Sequence, residues 1–257
     1  MTEPIRKEQF DALDATYAQI CASWAAENIS TREALEARLE EYRVYFAYHS
    51  GVIENPRISF HDTREVFERG TVTAYTGDVR TLFEIQNQQA CHEFLLDAFA
   101  VRRAIDLPFV LETHRVLTQG TYDERRWQQG ERPGTFKMHD YVVGVAEQGL
   151  PADRVEAAMA EMLDQLQLAT PDNILTVAAF FHGTLEAIHP FADGNGRVGR
   201  ALMNYLLMCN GHPPIIVRND DKMAYYGALE AWDAEADLEP LKTFLKAETI
   251  KTWSRLQ

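Results

Sequence analysis

The 257-residue chain is 46% hydrophobic and 25% charged, with 39 acidic residues against 25 Lys and Arg and a net charge of −14. Length and apolar content suffice for the core of one large domain or two small ones, while so acidic a surface disfavours generic binding to nucleic acid or an anionic membrane. No stretch approaches the roughly 18 apolar residues of a membrane span, and the opening MTEPIRKEQFDAL lacks the apolar run of a secretory signal.

Apolar residues recur at helical spacing along most of the chain. Phe10, Leu13, Tyr17, Ile20 and Trp24 mark a first helix. Ser30 with Glu33 reads as a capping box opening a second, whose inner face carries Leu35, Leu39, Tyr42 and Phe46. Asn55-Pro56 stops what precedes it. A polar stretch from Arg57 to Asp78 reads as a loop with a short helix near 64–69. Further helices are predicted over 82–105, 108–117, 152–166, 173–188, 196–209, 220–232 and 238–253. Glu131 to Gly144 breaks the pattern and reads as a β-hairpin turning at His139-Asp140. Cys21, Cys91 and Cys209 are odd in number and scattered through helical patterns, as expected of reduced thiols in a cytoplasmic protein.

The chemistry concentrates in His189-Pro190-Phe191-Ala192-Asp193-Gly194-Asn195-Gly196-Arg197-Val198-Gly199-Arg200. A glycine-rich loop runs into a helix here, and the unpaired N–H groups and positive dipole end at such a junction make an anion site. Arg197 and Arg200, three apart, lean towards the same anion, which suits a polyphosphate. Asp193 is a hard oxygen ligand within reach of those phosphates and suggests Mg²⁺. His189 is placed to take a proton from a hydroxyl. Phe191 anchors the loop. His114 and His182 fall on apolar helical faces and read as core histidines.

This segment resembles the signature of the Fic family, His-Pro-Phe-x-Asp/Glu-Gly-Asn-Gly-Arg-x-x-Arg, at every fixed position. The similarity extends over about residues 105–250 and includes Arg132 to Phe136, Leu202 to Asn204, Gly211 to Pro214 and Tyr225-Tyr226. It implies a mainly α fold, a Fic-type helical bundle with one small β-hairpin flap, divided into an N-terminal helical segment (1–103) and a catalytic core (104–257). The implied activity is transfer of AMP from ATP to a Ser, Thr or Tyr hydroxyl of a protein, with release of pyrophosphate.

By the same resemblance His189 is the base and Asp193 the Mg²⁺ ligand. Asn195 with the Gly194 and Gly196 backbone forms an anion hole, and Arg197 and Arg200 hold the β- and γ-phosphates. The flap's end (Val143, Gly144, Val145, Ala146) and Tyr225 with Tyr226 flank base and sugar. Gly196 replaces the lysine of the family's phosphate-transferring branch and so favours AMP transfer, while Asp233 stands where some relatives carry an asparagine beside adenine.

Ser50-Gly51-Val52-Ile53-Glu54-Asn55 resembles the family's inhibitory motif of the N-terminal (class II) type, with Ser50 and Glu54 on one helical face. In relatives that glutamate pairs with the second signature arginine, here Arg200. Gly51 and Pro56 predict only a short helix. The resemblance leaves open self-modification, a homodimer, removal of AMP, another nucleotide donor, and a non-catalytic regulatory protein of the same fold.

Overall fold

The computed structural model describes residues 3–143 and 146–256, with side chains over 13–141 and 149–256. Phe10 lies outside the described side chains, and Gly144 and Val145 lie outside the described residues altogether. The N-terminal helices are α1 (Glu3–Ala26), α2 (Arg32–Arg38), α3 (Glu40–Glu54), α4 (Phe60–Arg69) and α5 (Val79–Ala100). They are followed by α6 (Leu107–Thr118), α7 (Glu124–Gln128), α8 (Val155–Asp164), α9 (Ile174–Ile188), α10 (Asn195–Cys209), α11 (Lys222–Glu235) and α12 (Glu239–Trp253). Among the described residues no helix is long and apolar enough to cross a membrane. The three cysteines are free thiols.

One apolar cluster joins the two parts of the chain. Ile20, Trp24, Leu35, Leu39 and Tyr42 share it with Phe181, Leu185, Val198, Leu202, Leu241 and Trp253. Trp24 packs on Trp253 with ring centroids 4.9 Å apart, so α1 and α12 close one flank. Helices α9 and α10 pack against each other in that core, and the signature loop joins them.

The second predicted helix is two. Leu39 leaves helical geometry (φ −95°, ψ 6°) between α2 and α3, and the N-cap of α2 is Thr31, which accepts from the Ala34 N–H at 3.2 Å, instead of Ser30. Helix α3 runs fifteen residues, longer than Gly51 and Pro56 suggested. Gly51 is accommodated because the chain returns over it: a Cβ there would stand 2.8 Å from Ile58 Cδ1. Val52 packs with Ile58, Val66 and Ile85, whereas Ile53 packs with Val217 and Tyr225. The last turn of α3 is therefore wedged from both sides, which fixes Glu54 at its end.

The hairpin lies later than predicted. Tyr141–Val143 (β1) pairs antiparallel with Ala146–Gln148 (β2), Val143 opposite Ala146, so the turn falls beyond His139-Asp140. Residues 131–140 are irregular because their polar groups are engaged elsewhere. Buried Glu131 accepts from the Met138 N–H at 3.0 Å and the Tyr141 hydroxyl at 2.7 Å, and the Lys137 N–H donates to the Pro190 carbonyl at 2.8 Å.

Candidate functional site

The loop between α9 and α10 is held open by its own residues. His189 ends α9 in left-handed geometry (φ +50°) and Gly194 caps α10 at φ +89°, so the chain turns sharply at both ends of the loop. Asn195 locks the loop: its Oδ1 accepts from the Phe191 N–H and its Nδ2 donates to the Phe191 carbonyl, both at 2.8 Å. Its side chain thus staples the loop, and the expected anion hole is offered by the backbone that this staple shapes.

Phe191 is fully buried and stacks on His114, centroids 3.8 Å apart and planes at 7°. His114 Nδ1 accepts from the Gly134 N–H at 2.9 Å, which leaves the proton on Nε2 to donate to the Asp193 carbonyl at 3.0 Å. Burial pushes its pKa down to about 3, so it is a neutral structural clamp, a core histidine whose grip on the loop was not evident from sequence.

The flap is tied to the same loop at both ends, through Lys137 on Pro190 and through the Leu150 N–H on the Ile188 carbonyl at 3.0 Å. Gly149, at φ +74°, permits the second contact: any Cβ there would collide with His189 Cβ and the Ile188 carbonyl. His189 is partly buried. Burial, and after it the charge of Lys137, lowers its pKa, against the raising charge of Glu54 and a hydrogen bond to the Glu186 backbone. The imidazole is therefore neutral near pH 7 and free to accept a proton.

Arg197 is 3% exposed; its Nη2 donates to Asp193 Oδ1 at 3.0 Å, its Nη1 stands in an ion pair 3.9 Å from Glu84 Oε1, and neither Nη1 nor Nε has a hydrogen-bond partner among the described residues. Buried guanidinium donors without hydrogen bonds at a helix N-terminus suit an anion. Arg200 is buried and fully engaged. Its Nη2 donates to Glu54 Oε1 at 2.8 Å and to the Ser50 carbonyl at 2.9 Å, and its Nε donates to Ser50 Oγ at 3.1 Å. The Glu54 carboxylate lies directly over Gly196, where a Cβ would overlap Oε1. A carboxylate from α3 thus occupies the first turn of α10, in the place the helix end offers to an anion.

Asp193 is the single carboxylate of the loop. Burial raises its pKa, but the charges of Arg197 and Arg80 outweigh that and hold it below the usual range. Among the described residues no cluster of three or more His, Cys, Asp or Glu could hold a metal. One ionised oxygen donor beside a helix N-terminus nevertheless fits Mg²⁺, which takes one or two carboxylates and completes its shell with phosphates and water.

The two tyrosines part company. Tyr225 is buried against Arg200, its hydroxyl 2.6 Å from His182 Nε2 and 3.5 Å from Arg200 Nη1. Tyr226 is 42% exposed and Asp233 is exposed farther along α11. Val143 and Ala146 close the hairpin. Sequence reasoning missed Arg80 and Glu84 of α5. Arg80 Nη2 donates to Asp193 Oδ2 at 2.7 Å and Nε to Glu84 Oε1 at 3.0 Å. Their i, i+4 spacing is that of any helical ion pair, and nothing in it points 113 residues ahead.

Residues 104–207 match the model of the Fic/DOC family. The chain is 29% identical over 255 residues to a protein named protein adenylyltransferase Fic from Drosophila willistoni, covering 98% of this chain and 48% of that one. It therefore spans about half the length of the curated relatives it matches. A solved single-substitution variant of Fic-1 from Caenorhabditis elegans superposes with a TM-score of 0.78 at 23% identity, covering 99% of this chain and 73% of the other. A Fic family protein from Desulfovibrio desulfuricans G20 does so with a TM-score of 0.72 at 27% identity, covering 95% and 72%. The local geometry and these likenesses agree on one assignment: the chain carries a domain of the Fic/DOC family.

Proposed function

We propose that this protein is an auto-inhibited protein adenylyltransferase that moves AMP from ATP to a Ser, Thr or Tyr hydroxyl of a protein target, with residues 104–257 as the catalytic core and 1–103 carrying the brake. The observation that carries the reading is the Glu54 carboxylate seated on Arg200 over Gly196. It occupies the place of a terminal phosphate, so ATP cannot be gripped by Arg200 until α3 yields it.

Once Glu54 withdraws, Arg197, Arg200 and the N–H groups opening α10 hold the phosphates. The neutral imidazole of His189 takes the proton of the target hydroxyl as its oxygen bonds to the α-phosphorus, and the α–β bridging bond breaks with its electron pair leaving on pyrophosphate. Asp193 is the residue that would hold Mg²⁺, which supplies positive charge to the phosphates. The preformed positive surroundings do most of the work, because this transfer depends mainly on positioning and charge stabilisation. The flap edge offers an extended target segment a strand to pair with. Self-modification and a homodimer belong to the same reading, as does a cytoplasmic location in keeping with the free thiols.

The test is incubation of Glu54→Gly with ATP labelled at the α- or the γ-phosphate. Incorporation from the α label alone, above that of the wild type, is expected; His189→Ala in that background lowers it by about 10²–10⁴. Equal labelling of wild type and Glu54→Gly removes the brake, and label from the γ-position alone removes AMP transfer.

A further inference from the structure

We propose that Arg80 is a positioning residue of this site that holds the Asp193 carboxylate against a divalent cation, so that α5 guards the cation ligand while α3 guards the phosphate ligand. The inference rests on the nucleotide-binding reading above.

Each oxygen of Asp193 carries one guanidinium, Oδ1 from Arg197 at 3.0 Å and Oδ2 from Arg80 at 2.7 Å. The two arginines are not equivalent. Arg197 is 3% exposed and walled in by α10, whereas the Arg80 side chain is 38% exposed at the start of α5. Arg80 can turn towards solvent, and the carboxylates it leaves keep other positive charge: Asp193 the arriving cation and Arg197, Glu84 the Arg197 guanidinium 3.9 Å away; moving Arg197 strands a buried charge. A cation arriving at Asp193 therefore displaces Arg80.

Arg80 is also tied to the brake. Its second partner, Glu84, has a side chain only 5% exposed and accepts from Asn55 Nδ2 at 2.6 Å. Asn55 follows Glu54 directly and also donates to Thr81 Oγ1 at 3.0 Å. The first turns of α5 thus hold the end of the inhibitory helix with one hand and the loop carboxylate with the other.

Two effects of opposite sign follow. Without a cation, Arg80 neutralises Asp193 and spares incoming phosphates its repulsion. With a cation, Arg80 is the competitor. The test is calorimetric binding of ADP, which is not turned over by AMP transfer, to Glu54→Gly and to Glu54→Gly/Arg80→Met, each with EDTA and with saturating Mg²⁺. Methionine keeps the aliphatic stem, and melting curves check that both fold.

Loss of Arg80 is expected to weaken binding about threefold to fivefold in EDTA and to strengthen it by a similar factor with Mg²⁺, with Arg80→Lys between the two. Shifts of the same sign in both conditions, or none, overturn the proposal and leave the adenylyltransferase reading intact. No ADP binding by Glu54→Gly itself, in either condition, overturns that reading and this proposal together.

Discussion

Replacing Asn195 with alanine separates a loop staple from an anion-hole donor. The side chain is 3% exposed, and both its amide atoms are bonded to the backbone of Phe191, itself fully buried. Alanine leaves a buried N–H and a buried carbonyl without partners, at about 1–3 kcal/mol each, so a loss of about 3–4 kcal/mol is expected. At about 2–4 °C per kcal/mol for a chain of this size, Tm falls by about 6–16 °C. Asn195→Asp keeps the acceptor for the Phe191 N–H but sets a carboxylate oxygen against the Phe191 carbonyl, and it is no better tolerated. The assay is thermal melting by circular dichroism, paired with ATP calorimetry in the Glu54→Gly background. A variant melting within about 2 °C of wild type that loses only nucleotide binding would refute the staple and return Asn195 to the anion.

Ser50→Ala removes the acceptor 3.1 Å from Arg200 Nε while leaving the Ser50 carbonyl and Glu54 in place. Basal self- or target labelling should rise by up to about tenfold, less than for Glu54→Gly; a fall below wild type contradicts the brake geometry. Burial lowers the pKa of His114 and His182 to about 3 and of His212 to about 4, against about 6.5 unfolded. The unfolded chain therefore binds more protons below pH 6.5, and stability drains away as pH falls from 6.5 towards 4. The loss reaches about 1.4 kcal/mol per pH unit for each histidine. The urea midpoint should be clearly lower at pH 5 than at pH 7.5, and equal midpoints would mean that these rings are not buried neutral.

What the sequence alone determined was local. Helical apolar spacing located nearly every helix, because it is the same short-range pattern that buries one face against a core. The run from His189 to Arg200 fixed its own loop-to-helix geometry through adjacent glycines, and the spacing of Ser50 and Glu54 set them on one face of α3. Where local signals compete, sequence reading slipped. Ser30 and Thr31 are both good caps, Gly51 reads as a helix breaker until Ile58 covers it, and the hairpin's register depends on Glu131 and Lys137 being used up elsewhere.

Tertiary structure decided which charges meet. Arg80 finds Asp193 across 113 residues, and Arg200 finds Glu54 across 146; the motif resemblance anticipated the second pair, but no periodicity encodes either, since partner identity depends on how α3, α5 and α10 pack. The same packing turned His114 inward to hold the loop and set Tyr225 against Arg200. A chain can announce its reactive groups through short-range pattern, but which charges meet is settled by helices that touch only after folding.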